Sequence, residues 1–191
     1  MRGVMVAGVL LAVISAALAA APLNIWLDVP FVAQKKNGCG PASVAMIMEY
    51  WQKQQRAPSG GDAAEVLRTL APGRDGVRAA DMLRFFEQHG YRAFAYAGDW
   101  ADLEHQLAKG RPLIAALQPA GGRSLHYVVV AGIDDAEQAL LLNDPAQRKL
   151  LKEARKEFEH EWRVTGNWTL LAVPQANPMA ASPADAPSDA H

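Results

Sequence analysis

The chain has 191 residues, of which 50% are hydrophobic and 20% are charged, a composition typical of globular proteins. The formal net charge at pH 7 is −1, and the chain has no long cluster of basic side chains. Nucleic acid is therefore excluded as the main partner. A single cysteine, Cys39, excludes both a disulfide within the chain and a zinc site built from several cysteines.

Residues 1–19 have the pattern of a secretory signal peptide. Arg2 supplies the positive charge, residues 4–18 are almost uncharged and apolar, and Ala17 and Ala19 fit a small-residue cleavage site. This apolar stretch is short for a helix that spans a bilayer. We therefore expect the leader to be removed and the protein to be exported to the periplasm or the exterior. An uncleaved N-terminal anchor is the alternative.

The other end of the chain is rich in proline, alanine, aspartate and serine. Residues 174–191 offer little to bury, which predicts a disordered tail. The folded domain is then expected over residues 22–173, with no internal repeat. We expect it to be a monomer without a stable membrane span after leader removal.

The first part of this domain is predicted to be mainly helical after an extended entry at residues 26–31, where Pro30 disfavours a helix. Apolar residues recur at i, i+3, i+4 and i+7 from Val44 to Trp51, the spacing of one helix face. Capping and glycine signals mark the ends of the helices that follow. Helices are predicted over residues 41–54, 62–70, 78–89 and 99–108.

The second part changes to short apolar runs that are rich in valine, isoleucine and leucine and separated by turn residues. This pattern predicts antiparallel strands. The charged segment at residues 150–162 is predicted to be a helix. Together these elements indicate an α+β fold, with N-terminal helices packed on a C-terminal antiparallel sheet. Strands are predicted over residues 91–96, 112–117, 127–133, 139–142 and 168–173.

The most informative residue is Cys39, which lies between Gly38 and Gly40 directly before the first helix. The two glycines are expected to leave room for a substrate backbone. The positive end of the helix dipole favours a thiolate and lowers the pKa of the thiol. Cys39 is therefore a candidate nucleophile, and a small apolar side chain at a helix start is the alternative.

Two further residues complete a candidate catalytic set. His126 begins an apolar strand after a glycine-rich loop, where it could serve as the general base for a thiol. Asp144 follows the next strand and could accept the imidazole N–H. Asn143 could do the same in principle, but adjacent residues of a strand point to opposite faces. A histidine at a sheet edge and a turn-forming Asp-Pro are the alternatives.

Gln34 lies on the loop before the candidate nucleophile. Its amide could donate to a developing oxyanion together with the backbone N–H of Cys39. Taken alone, Gln34 is an ordinary polar loop residue. The functional hypothesis depends on the full set, which occurs in the order Gln34, Cys39, His126 and Asp144.

Three sequence blocks carry a resemblance to a known family. These blocks are Gln34 with residues 37–43 (NGCGPAS), residues 126–130 (HYVVV) and residues 143–145 (NDP). They resemble the bacteriocin-processing, double-glycine-type cysteine peptidases, which have a papain-like fold. The resemblance implies a free-standing, exported member with Cys39 as nucleophile and His126 as general base and acid. It also implies that Asp144 orients the histidine and that the substrate is a peptide or protein.

Two other functions are compatible with the same residues. One is a papain-like amidase or acyl transferase that acts on cell-wall peptides, and the other is a non-catalytic binding module. No cofactor and no metal are expected, because the remaining histidines lack paired metal-ligand spacing. These histidines are His89, His105, His160 and His191.

Overall fold

A computed structural model describes residues 24–57, 62–74, 76–122 and 124–175. The predicted leader and most of the predicted tail lie outside these residues. No helix in the described ranges is long and apolar enough to cross a membrane. The elements are β1 (Asn24–Trp26), α1 (Cys39–Lys53), α2 (Ala63–Thr69), α3 (Ala79–Gln88), β2 (Tyr91–Ala97), α4 (Trp100–Ala108), β3 (Leu113–Leu117), β4 (His126–Asp134), β5 (Ala139–Asn143), β6 (Leu151–Ala154), α5 (Arg155–Val164) and β7 (Trp168–Pro174).

The strands form one antiparallel sheet in the order β2-β7-β3-β4-β5-β6, and β1 pairs with the far end of β4. In the register of β3 and β4, Leu117 lies opposite His126. In the register of β4 and β5, Val129 lies opposite Asn143. The sheet therefore brings the start of β4 and the end of β5 together at the same end of the strands.

Helices cover both faces of this sheet. Val129 and Ala131 of β4 pack in the cluster that contains α1 and α3, whereas Val128 and Val130 pack in the cluster that contains α4 and α5. Successive strand residues point to opposite faces, which explains why β4 is an unbroken apolar run. The fold is α+β, as predicted.

The predicted elements agree with the structure except in one region. Residues 151–154 form strand β6 rather than the start of a helix, and α5 begins only at Arg155. The segment pairs with β5, with Leu151 opposite Leu142. Leu150 has φ = 52°, which separates β6 from the preceding turn. Pairing with an exposed strand edge therefore outweighs the helix propensity of these charged residues.

Candidate active site

Cys39 is the first residue of α1, and Gly38 is the N-cap. The first helical hydrogen bond runs from the Ala42 N–H to the Gly38 carbonyl at 3.0 Å. The thiol thus lies at the N-terminus of a 15-residue helix, where the helix dipole favours a negative charge. The side chain is only partly buried, so a substrate can reach it.

The glycines beside Cys39 have a different role from the predicted one. A Cβ atom at Gly40 would lie 3.1 Å from Sδ of Met82, and one at Gly38 would lie 3.0 Å from the carbonyl oxygen of Lys35. Both glycines are themselves buried. The expectation that they leave room for a substrate backbone is wrong, because the chain's own atoms occupy that space. They permit close packing around the start of α1.

His126 lies at the start of β4, next to Cys39. A hydrogen bond of 3.4 Å from Ser43 Oγ to the carbonyl oxygen of Tyr127 joins α1 to β4 at this point. His126 Nε2 lies 2.8 Å from Oδ1 of Asp144, and the Cys39 thiol lies close enough to the imidazole to raise its pKa. The imidazole ring therefore bridges the thiol and the carboxylate.

Asp144 is 4% exposed, and three neighbours hold its carboxylate. Besides His126, the Ala146 N–H donates to Oδ1 at 2.8 Å, and Gln147 Nε2 donates to Oδ2 at 2.7 Å. Sequence reasoning missed Gln147. The sequence signal for Gln147 is its position three residues after Asp144, across a turn that contains Pro145. Side chains this close in a turn often hydrogen-bond to each other.

Asn143 points away from the imidazole, as the alternation of strand residues predicts. Its Nδ2 donates to the carbonyl oxygens of Val29 and Pro30 at 3.1 and 3.3 Å. Its Oδ1 accepts from the Leu150 N–H at 3.0 Å. Asn143 is fully buried and anchors the loop that leads to Gln34.

The electrostatics of the site favour a charged pair. Burial raises the pKa of the Cys39 thiol, but hydrogen bonds from His126, Tyr127 and Gly40 outweigh burial, so the pKa lies below its usual value. Burial lowers the pKa of His126, but Asp144 and Cys39 outweigh it and raise the pKa to about 9. Both shifts favour a thiolate beside an imidazolium over the neutral pair.

A further carboxyl group, that of Glu153, has a strongly raised pKa. Burial raises the pKa of Glu153 to about 7, with a further contribution from the negative charges of Glu161, Asp144 and Glu157, whereas His126 acts in the opposite direction. Glu153 lies on β6, opposite Leu140 of β5. Sequence reasoning placed this residue on the predicted helix over residues 150–162 and missed that it lies on a strand.

Gln34 lies on the loop before α1. Its backbone N–H donates to the Pro145 carbonyl at 2.9 Å, which links this loop to the turn that carries Asp144. Its Oε1 is buried and has no hydrogen-bond partner among the described residues. The side-chain amide is thus not used to hold another part of the described fold.

No group of three or more potential metal ligands occurs in the described part of the chain. His89 Nδ1 lies 2.7 Å from the Phe85 carbonyl, and His105 contacts Lys109. These two histidines therefore have local structural contacts. His191 lies outside the described residues.

Comparison with known proteins places this site in a family context. Residues 26–170 match the family model described as "Peptidase_C39 like family". A comparison with curated proteins found no match.

Solved structures of similar fold include a chain described as a C39-like peptidase from Bacillus anthracis, 17% identical with a TM-score of 0.65 over 81% of this chain and 100% of that one. The peptidase domain of Streptococcus ComA is 23% identical, with a TM-score of 0.61 over 76% of this chain and 98% of that one. A double glycine motif protease from an AMS/PCAT transporter, in complex with its leader peptide, is 23% identical. Its TM-score is 0.59 over 80% of this chain and 99% of that one.

Proposed function

Because the chain belongs to the Peptidase_C39 like family, we propose that it is a cysteine peptidase with Cys39 as its nucleophile. One observation carries the proposal: the His126 imidazole lies beside the Cys39 thiol, whose pKa it lowers, and its Nε2 lies 2.8 Å from Oδ1 of Asp144. This is the arrangement that a thiol nucleophile, its general base and an orienting group require.

In the first half of the reaction, the Cys39 thiolate attacks the carbonyl carbon of a peptide bond and forms an S–C bond. The carbonyl oxygen becomes an oxyanion, to which the Cys39 N–H and the Gln34 amide donate hydrogen bonds. The His126 imidazolium then gives its proton to the leaving amine as the C–N bond breaks. A thioester and a neutral imidazole remain.

In the second half, the neutral His126 accepts a proton from water, and the resulting hydroxide attacks the thioester carbon. The S–C bond breaks, the carboxylic acid product leaves, and the thiolate and imidazolium are restored. Asp144 stabilises the imidazolium at each stage and holds the ring in the required orientation. Gln147 acts through Asp144 as a positioning residue.

A peptide substrate is supported by the similarity to a protease that was solved with its leader peptide. Export is part of the proposal and rests on the pattern of residues 1–19. Expression of the full chain in a bacterial host, followed by cell fractionation and N-terminal sequencing, tests it. We expect a mature protein outside the cytoplasm that begins at Ala20. A full-length cytoplasmic product would contradict export.

The peptidase proposal is tested by incubating the protein and its Cys39→Ala variant with a complex mixture of peptides and with cell-wall peptides. We expect new peptide termini, detected by mass spectrometry, with the wild type only. Cleavage restricted to the cell-wall peptides would favour an amidase. Equal patterns with the two proteins would contradict catalysis by Cys39, provided that circular dichroism shows both to be folded.

A further inference from the structure

An apolar pocket of about 230 Å³ opens beside the candidate active site. Residues from α3, β3, β4, α5 and β7 and from the loops before β4 and after α5 surround it. None of the described residues that line it carries a charge. Its main walls are Ala79, Leu125, Tyr127, Val164, Thr165 and Trp168.

Tyr127 connects this pocket to the reacting sulfur. It directly follows His126, and a backbone hydrogen bond from Tyr127 lowers the pKa of Cys39. Its ring packs against Trp168 in a T-shaped arrangement, with the ring centroids 5.4 Å apart. A Cβ atom at Gly40, the residue after Cys39, would lie 3.5 Å from Cδ2 of this ring. Tyr127 thus forms a wall of the pocket and packs beside the residue that follows the nucleophile.

The chemistry of the walls selects an apolar ligand. The hydroxyl of Thr165 already bonds to the carbonyl oxygens of Ala116 and Trp162 at 2.8 and 2.7 Å. Two of the residues that line the pocket, Leu125 and Val164, are 51% and 55% exposed. A ligand that covers them removes apolar surface from water. A cavity of about 150 Å³ is large enough for benzene, so this pocket has space for a leucine or phenylalanine side chain.

We propose that this pocket binds a bulky apolar side chain of the substrate, within two residues of the scissile bond. The proposal rests on the proposed peptidase function and names its substrate class: peptides with a large apolar residue beside the cut. Leu125 and Tyr127 line the pocket and flank His126 in the chain, and the Tyr127 ring packs beside Gly40, so a peptide held at Cys39 lies close to the pocket. A glycine at that substrate position would leave the pocket empty.

The chain offers a matched pair of variants. Ala79 lines the pocket near the start of α3, so Ala79→Phe should fill it. The neighbouring Ala80 is exposed and does not line the pocket, so Ala80→Phe adds the same side chain outside it. Neither residue belongs to the proposed catalytic set.

The first readout is the sequence of the peptides cleaved from a complex mixture. For the wild type and Ala80→Phe, we expect leucine, phenylalanine or similar residues to be enriched at one fixed position near the cut. Peptides with such a residue should be cleaved at least about 10-fold faster than their alanine counterparts. In Ala79→Phe this preference should disappear while alanine peptides are still cleaved. Cleavage by the wild type without this enrichment would overturn the pocket proposal and leave the peptidase proposal intact.

The second readout needs no turnover. The rate of Cys39 alkylation by N-phenethyl iodoacetamide is divided by the rate with iodoacetamide, and the ratio is normalised to that of glutathione. We expect a ratio at least about 10-fold above glutathione in the wild type and Ala80→Phe, and a ratio near that of glutathione in Ala79→Phe. An enhanced ratio without any peptide cleavage would support the pocket and contradict the peptidase function. A ratio near that of glutathione in the wild type would overturn the pocket proposal.

Discussion

His126 Nε2 lies 2.8 Å from Oδ1 of Asp144, although the two residues belong to different strands and are 18 positions apart in the chain. Because β4 and β5 are antiparallel neighbours, the start of one lies beside the end of the other. The bond engages one ring nitrogen and leaves the other for the thiol of Cys39. The carboxylate thereby sets the direction in which the imidazole exchanges its proton.

Asp144→Asn should lower the pKa of His126, because an amide does not stabilise the imidazolium as a carboxylate does. We expect kcat to fall about 10²–10⁴-fold in protein that circular dichroism shows to be folded. Gln147→Ala removes only one hydrogen bond to the carboxylate and should have a smaller effect, with a shifted pH profile. Steady-state kinetics on a cleaved peptide measure both changes. Wild-type kcat in Asp144→Asn would contradict the proposed role.

Asn143→Asp, on the neighbouring residue, should affect the stability of the fold rather than the chemistry of the site. The substitution removes the donors to the Val29 and Pro30 carbonyls and places a buried carboxylate against both oxygens. We expect the free energy of unfolding to fall by about 2–4 kcal/mol. Urea denaturation monitored by tryptophan fluorescence measures it. A loss of activity at unchanged stability would instead place Asn143 in the reaction itself.

The pH profile of hydrolysis should differ from that of alkylation. Since the pKa of His126 is raised to about 9, the proton needed by the leaving amine is present below that pH and lost above it. We therefore expect kcat/KM to decline above about pH 9. Alkylation of Cys39 needs only the thiolate and should not decline there. A decline of both rates, or of neither up to pH 10, would contradict the assignment of His126 as the acid.

Glu153 should make the fold less stable above pH 7 than at pH 4.5. Burial raises its pKa from 4.5 to about 7, so the folded state disfavours the charged form. Stability is then lost as the pH rises from 4.5 to 7, and the loss is complete above 7. Glu153→Gln should raise the free energy of unfolding by about 1–2 kcal/mol at pH 8 and have little effect at pH 4.5.

Denaturant unfolding of the Glu153→Gln variant at both pH values measures this difference. Glu87 on α3 is exposed and provides a matched control, in which substitution by glutamine should leave stability unchanged. Equal stabilisation of Glu153→Gln at pH 4.5 and 8 would show that packing, rather than ionisation, causes the effect.

Local patterns in the sequence were sufficient for most of the fold. The apolar spacing from Val44 to Trp51 reflects one face of α1, on which Trp51 is buried and donates to the Ala172 carbonyl at 3.0 Å. The strict alternation of strand residues separated Asp144 from Asn143. In both cases the signal is contained within a single element, so sequence reasoning could find it.

The features that were missed depend on contacts between distant segments. The β6 strand forms because an edge of β5 is available, and its charged residues give no local sign of this pairing. The pocket combines Ala79 with Val164 and Trp168, which are far apart in the chain. The packing of Met82 against Gly40 likewise joins two helices. None of these relationships has a periodic signature.

The most direct test of the account is the rate of Cys39 alkylation by iodoacetamide as a function of pH, in the wild type and in His126→Ala. We predict fast alkylation that persists below about pH 7 in the wild type and is lost in the variant, because the imidazolium maintains the thiolate. If the rate in both proteins instead followed an ordinary thiol with a pKa of about 8.5, the thiolate–imidazolium pair would be contradicted.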